Sequence, residues 1–200
     1  MAETRGIILA GGLSSRMGGG DKALLPLAGR PMIGHVIARL APQTGPLAIS
    51  ANGDPARFLP LGLPVLPDTV PGFPGPLAGV LAGLDWAAGH GADQLLTAAA
   101  DSPFLPHDLA ARLAGAGRFA LAASPDQTGV QRLHPTFGLW PVDLREALRR
   151  ALAGGSRRVA RWALDHGAVT VAFATVPFDP FFNVNTPADL ALAETMAART

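Results

Sequence analysis

Short apolar runs, broken by glycine, proline and small polar residues, alternate along this chain with stretches in which apolar residues return every third or fourth position. Gly6 to Ala10 is apolar throughout, the pattern of a strand buried on both faces of a parallel sheet. From Met32, the residues Ile33, Val36, Ile37 and Leu40 form a helical stripe, and Pro31 falls at a first-turn position where its missing amide costs nothing. Leu47 to Ala51 predicts a second strand ending in the turn-forming cluster Asn52-Gly53-Asp54-Pro55, and Val65-Leu66 a brief third ending at Asp68. From Asp68 to Pro76 the chain is too rich in proline and glycine to continue either a strand or a helix. Leu77, Leu81, Leu84 and Ala88 mark a helix closed by Gly89 and Gly91. Gln94 to Ala100 predicts a fourth strand, stopping at Asp101-Ser102-Pro103, and Pro106 opens a helix that carries Leu109 and Leu113.

The second half is less regular. Phe119 to Ala123 and Thr136 to Trp140 predict strands joined by a polar loop, Ser124 to His134. Leu144, Leu148 and Leu152 predict a helix ended by Gly154-Gly155, Ser156 caps another reaching His166, and Val169 to Val176 predicts a late strand. Thr186-Pro187-Ala188-Asp189 has the cap and first-turn proline of a helix start. Just before it, Asn183-Val184-Asn185 sets two amides at alternate positions of an extended segment, where both can face one ligand.

Strands alternating with helices through short connections predict a right-handed, doubly wound α/β sheet, mostly parallel and twisted, with helices on both faces. Ligands of such folds bind outside the carboxyl ends of the strands. The predicted strand ends carry Gly11-Gly12, Asn52, Asp68 and Asp101, so these positions are expected to converge on one crevice. Two hundred residues with 48% hydrophobic content suffice for one domain with a substantial core, spanning residues 1–200. A formal net charge of +1 lacks the concentrated positive charge that nucleic acid demands as a main partner. The absence of cysteine excludes disulfides, thiolate metal sites and a cysteine nucleophile. With neither a secretory signal nor an apolar run long enough to span a bilayer, the expectation is a soluble cytoplasmic protein without a membrane partner.

The most informative chemistry lies between Ile7 and Lys22, where the first strand gives way to glycines, serines, Arg16 and Lys22. Main-chain amides exposed by glycine line concavities that suit phosphate oxygens, and the two cations neutralise charge that amides alone cannot. The stretch is neither the P-loop nor the dinucleotide fingerprint; a tight turn with solvated charges is the plain alternative. Asp101 at a strand end can hold Mg²⁺ with one carboxylate plus substrate phosphates and waters, although the residue alone reads equally as a turn or helix-capping aspartate. Asp68 shares that ambiguity. The histidines show no metal-ligand spacing, and of them His134 is singled out beside Pro135. Arg149, Arg150, Arg157, Arg158 and Arg161 read first as a solvated face, and Trp86, Trp140 and Trp162 as core residues.

Leu9-Ala10-Gly11-Gly12-x-x-x-Arg16-Met17-Gly18 followed by Asp21-Lys22 resembles the signature of the nucleotidyltransferases related to molybdenum-cofactor guanylyltransferase. Pro74 to Gly79, Asp101 to Pro106, His134-Pro135-Thr136 and Asn183 to Pro187 resemble further motifs of that group in the same order, so the likeness covers nearly the whole chain. It implies a Rossmann-like nucleotidyltransferase that transfers GMP from Mg·GTP to the terminal phosphate of molybdenum-molybdopterin and releases pyrophosphate. Residues 1–118 would form the nucleotide-binding half and 119–200 the second-substrate half. By motif position the resemblance implies that Leu9, Ala10, Gly11, Gly12 and Asn52 meet the guanosine, Arg16 and Lys22 the triphosphate, Asp68 the nucleotide and Asp101 the metal. Asn183 and Asn185 would fall on the pterin side. GTP and molybdenum-molybdopterin are the implied substrates and Mg²⁺ the implied cofactor; transient contact with molybdoenzyme chaperones or other cofactor-biosynthesis proteins stays open. Thr97 to Ala100 lacks the cysteine often found next to the family's aspartate, which reads as a packing change. Two alternatives remain: a cytidylyltransferase of the same cofactor system, against which Gly11 speaks because relatives using CTP tend to carry alanine there, and a non-catalytic carrier of the nucleotide or cofactor.

Overall fold

The computed structural model describes residues 3–11, 21–70, 75–155 and 158–199. In chain order the strands are β1 (Thr4–Leu9), β2 (Pro26–Leu27), β3 (Arg30–Pro31), β4 (Leu47–Ser50), β5 (Val65–Leu66), β6 (Gln94–Ala99), β7 (Ala120–Pro125), β8 (Gln131–Pro141) and β9 (Val169–Ala172). The helices are α1 (Met32–Leu40), α2 (Pro76–Gly89), α3 (Leu109–Ala116), α4 (Arg145–Ala153), α5 (Val159–Asp165) and α6 (Pro187–Ala197). Seven strands form one sheet in the order β5-β4-β1-β6-β8-β7-β9, and β2 and β3 pair as a small separate hairpin. Within the large sheet β8 is antiparallel to both neighbours, while the other pairings are parallel.

The order follows from burial. Ile7 and Ile8 on the central strand β1 are both fully buried, so β1 needs a layer on each face. One layer comes from α1 and α3, whose Ile33, Val36, Leu109 and Leu113 pack with Ile8, Ile49 and Leu96. The other comes from α2, α4 and α5, whose Leu81, Leu84, Leu148 and Trp162 pack with Ile7, Leu95 and Trp140. At one end α6 and the β2–β3 hairpin close a smaller cluster around Leu27, Met32, Phe104 and Val184. The doubly wound, mainly parallel sheet with helices on both faces is therefore present.

Helix α2 lies unusually close to the sheet because of its glycines. A Cβ on Gly79 would stand 2.5 Å from Ser50 Oγ, and one on Gly83 would stand 2.8 Å from both Ile7 Cδ1 and Leu95 Cδ2. Gly83→Val is expected to destabilise the protein by about 2 kcal/mol, the overpacking range for a filled core, measured by urea unfolding. Unchanged stability would mean that α2 can move off the sheet freely.

Several boundaries differ from the sequence expectation. The polar loop expected over Ser124 to His134 is mostly strand, and only residues 126–130 connect β7 to β8. The reason is that Ser124 is buried at 1% exposure with its hydroxyl satisfied by His134 and Asp179, so its polarity does not send it to solvent. The late strand stops at Ala172 instead of Val176, where Phe173 and Phe181 turn into the core. The helix expected at Pro106 begins at Leu109, and Pro31 is the residue before α1 instead of in its first turn. The cap expected at Ser156 lies outside the described residues. Of the tryptophans, Trp140 and Trp162 are buried, and half-buried Trp86 lies under the Arg5 guanidinium at 5.2 Å. Arg149 pairs with Asp85 and Glu146, and Arg161 with Asp165, so these arginines are neutralised locally.

Candidate active site

The chain leaves β1 and pairs β4 on one side and β6 on the other, the arrangement that opens a crevice at the strands' carboxyl ends. A cavity of about 810 Å³ occupies that position. Leu9, Ala10 and Gly11 supply its floor from the end of β1; Ser50 and Asn52 come from β4, Asp68 from beyond β5, Asp101 from beyond β6, and Gly75, Pro76 and Gly79 from the start of α2. Gly79 admits this approach, since any side chain there would fill the space of Ser50. Gly12 and Arg16 lie outside the described residues.

At one end Asn52 and Asp68 lock each other. The Asn52 side-chain amide donates to Asp68 Oδ2 at 2.7 Å, and the Asp68 main-chain N–H donates to Asn52 Oδ1 at 2.9 Å. The sequence placed the two at separate strand ends; the pairing of β4 with β5 brings them together. The result is a fixed carboxylate and a fixed amide at the cavity wall, a donor–acceptor set of the kind that reads the edge of a base.

At the other end Lys22 Nζ reaches Asp101 Oδ2 at 2.7 Å and Asn185 Oδ1 at 2.6 Å. Lys22 opens a short 3₁₀ turn, Lys22–Leu24, capped by Asp21 Oδ1 accepting from Ala23 N–H at 3.1 Å. The pair is half sheltered, with side-chain exposures of 13% and 27%. The two asparagines come from the segment just before α6, where intervening Val184 is fully buried and both amides remain exposed. Asn183 lines the cavity and accepts from the buried Ser102 hydroxyl through Oδ1, while Asn185 holds Lys22. Val184 N–H donates to the Asp101 carbonyl at 2.9 Å, docking this segment against the end of β6. Asp189 completes the frame by accepting from the main-chain N–H groups of Asn185 and Thr186 at 2.9 and 2.8 Å. Burial opposes its ionisation, but these hydrogen bonds and the Lys22 charge together hold its carboxyl below the ordinary value.

Of the lining residues not picked out as ligand contacts from the sequence, three bear most on the site. Ser50 ends β4 and faces α2. Thr136 enters the cavity because the β7–β8 register slips: Leu121 faces Gly138 while Ala122 faces His134, so Pro135 to Phe137 form a bulge. Bulges of this kind re-aim side chains, and the legible signal was the proline within a strand pattern. His134 stacks on Phe181 with centroids 4.6 Å apart, and its Nε2 lies 2.7 Å from Ser124 Oγ. Burial pushes its pKa down against the pull of Asp179. Arg57 is the third, and its guanidinium spans the wall between the two ends of the cavity.

The Asp101 carboxylate, paired with Lys22, and the locked Asn52–Asp68 pair in the wall of the same cavity suit a ligand that carries both charge and hydrogen-bonding groups, such as a nucleoside triphosphate. Among the described residues no cluster of three or more His, Cys, Asp and Glu is placed to hold a metal alone. A single carboxylate is instead the protein share of a Mg²⁺ site completed by substrate phosphates and water, and Asp101 fits it.

Comparisons with known proteins bear on the family and the fold. Residues 6–169 match the family description MobA-like NTP transferase domain. A protein of Bradyrhizobium sp. (strain ORS 278) named molybdenum cofactor guanylyltransferase is 55% identical, covering 96% of this chain and 92% of its own. One of the same name from Cereibacter sphaeroides is 54% identical, covering 96% of this chain and 95% of its own. Among solved structures, molybdopterin-guanine dinucleotide biosynthesis protein A from Archaeoglobus fulgidus superimposes with a TM-score of 0.72 at 23% identity, over 98% of this chain and 100% of that one. The CMP:2-keto-3-deoxy-manno-octonic acid synthetase complexed with CTP reaches a TM-score of 0.72 at 16% identity, over 99% of each chain. At these identities the structural matches speak for the fold.

Proposed function

The chain belongs to the MobA-like NTP transferase family, and from that premise we propose that it transfers GMP from GTP to the phosphate of molybdenum-molybdopterin, with Mg²⁺, releasing pyrophosphate and forming the guanine dinucleotide cofactor. It is a nucleotidyltransferase, and a guanylyltransferase role is the one its relatives' names support. The observation that carries the finer reading is the pairing of Lys22 with Asp101 opposite the Asn52–Asp68 lock.

In this reading Leu9 to Gly12 underlie the guanosine, and Asp68, held by Asn52, accepts from the base. Lys22 and, by motif position, Arg16 would meet the triphosphate, and Asp101 would hold the metal. When bound, Mg²⁺ would supply charge neutralisation to the phosphates of the nucleotide. An oxygen of the acceptor phosphate forms the new bond to the α-phosphorus, the bond from that phosphorus to the α–β bridging oxygen breaks, and the electron pair leaves with pyrophosphate. The nucleophile is already ionised near neutrality, so the residues need no strong general base. Positioning and charge neutralisation carry the rate. Asn183, anchored by Ser102, and Asn185, anchored on Lys22, would meet the acceptor; residues 119–200 supply that wall and residues 1–118 the nucleotide wall.

Pyrophosphate release with GTP and with CTP, each with purified molybdopterin and Mg²⁺, tests the reading. GTP preference supports it, CTP preference replaces it with the cytidylyltransferase, and GTP binding without release replaces it with a carrier. A finer probe is Gly11→Ala. Among the described residues a Cβ at Gly11 meets nothing within 4 Å, so no described atom opposes the substitution. The methyl group would instead intrude on the base, raising KM for GTP by about tenfold while leaving CTP less affected. Equal effects on both nucleotides would remove Gly11 from base choice.

A further inference from the structure

We infer that Arg57 is a positioning residue that ties the base-reading end of the cavity to its phosphate end and thereby sets affinity for the nucleoside triphosphate. Arg57 lies in the first turn of a 3₁₀ helix, Pro55–Leu61, capped by Asp54 and fixed from below by fully buried Phe58. Its Nε donates to Asp21 Oδ2 at 2.6 Å, its Nη2 donates to the Asn52 carbonyl at 2.7 Å, and its Nη1 donates to the Asp54 carbonyl. Gly53, at φ +82°, gives the turn that folds the Asn52 and Asp54 carbonyls back toward the guanidinium. The same group lies 4.6 Å from the Phe58 ring centroid.

What distinguishes these contacts is where they lead. Asn52 is the residue whose side chain locks Asp68. Asp21, through its other oxygen, caps the turn that presents Lys22 to Asp101. One guanidinium thus links Asp68 to Asp101 through hydrogen bonds and the short stretches of chain at Asn52 and at Asp21 to Ala23 that join them. The Arg57–Asp21 pair is mostly sheltered, with side-chain exposures of 28% and 14%, which favours a strong charge-assisted bond over a screened surface contact. A triphosphate touches both ends at once, so it benefits when their separation is fixed in advance. The acceptor would meet Asn183, which Ser102 anchors outside this series, as well as Asn185, which shares Lys22, so it depends on that separation less. The inference rests on the proposed function for the two ends of the cavity, and not on which base is bound.

The test uses the full chain carrying Arg57→Ala, Arg57→Lys, Asp21→Asn, or Asp21→Asn with Arg57→Ala, each checked for folding by circular dichroism and thermal melting. Binding of GTP and of CTP with Mg²⁺ is measured by calorimetry, and KM is measured separately for nucleotide and molybdopterin. Arg57→Ala is expected to weaken the preferred triphosphate by on the order of tenfold, with the acceptor KM held within about twofold. Arg57→Lys should recover little, because one ammonium cannot reproduce a fork to separate acceptors. The double variant should lose no more than the worse single, since both cut the same link. Should Arg57→Ala not fold, Asp21→Asn, which keeps an acceptor for Ala23 N–H, carries the test. The inference is overturned if folded variants bind the triphosphate as the parent does, if both KM values rise together, or if lysine restores binding fully. A parent protein that prefers CTP would overturn the guanine reading alone, and the role of Arg57 would then be read with CTP.

Discussion

Asp101→Asn is expected to lower turnover by roughly a thousandfold, the cost of losing the carboxylate that would hold Mg²⁺ at the reacting phosphate, while leaving the melting temperature nearly unchanged. The substitution keeps shape, and the new side-chain oxygen can still accept from Lys22, so the Lys22–Leu24 turn stays in place. The Asp101 carbonyl keeps its bond from Val184 N–H, because it belongs to the main chain. What disappears is the negative charge and, in the proposed reading, the protein's hold on Mg²⁺. Pyrophosphate release across a Mg²⁺ titration is the measurement. Turnover near the parent level with an unaltered Mg²⁺ response would take the metal away from Asp101.

Lys22→Ala should cut kcat by about a hundredfold and raise KM for the nucleotide, since in the proposed reading the ammonium would contribute charge both to the bound triphosphate and to the departing pyrophosphate. Removing Nζ also frees Asp101 and Asn185 from the contacts at 2.7 and 2.6 Å. The Asp101 carboxylate retains 27% exposure and can hydrate, so the fold should survive. Lys22→Arg should not restore the rate, because a planar fork cannot occupy the point between Asp101 and Asn185 that a compact ammonium fills. Steady-state kinetics separate the variants: Lys22→Ala keeps its Mg²⁺ dependence and Asp101→Asn does not. A loss below threefold in Lys22→Ala, on the order of 0.6 kcal/mol, would leave Lys22 with no role in the chemistry.

Much of this site is legible because parallel strands are buried on both faces. Each then appears as a short unbroken apolar run, and the first polar residue after it marks the carboxyl end. Asn52, Asp68 and Asp101 are such residues, and the pairing of β4, β1 and β6 brings their strand ends to one crevice. The same logic fails where polar groups are buried as partners. Ser124 and His134 read as loop residues because sequence shows their polarity and not their hydrogen bond. Arg57 was missed for a different reason: Asn52-Gly53-Asp54-Pro55 read as a turn and nothing more. Asp54 followed by Pro55 is also a helix cap with a first-turn proline, and that reading would have put the next charged residue back over the turn. Thr136 depended on a bulge, which a strand pattern announces only through its proline.

The bond from Val184 N–H to the Asp101 carbonyl has a bearing on when a growing polypeptide becomes competent. The sheet strands β1, β4, β5 and β6 lie in the first hundred residues and can assemble as the chain leaves the ribosome, since folding proceeds from the N-terminus during synthesis. The segment that braces Lys22 and the end of β6 emerges only at residues 183–185 of 200. A nascent chain can therefore hold the wall of Asn52 and Asp68 before it holds a braced ammonium, because the bracing segment follows β6 by several further elements.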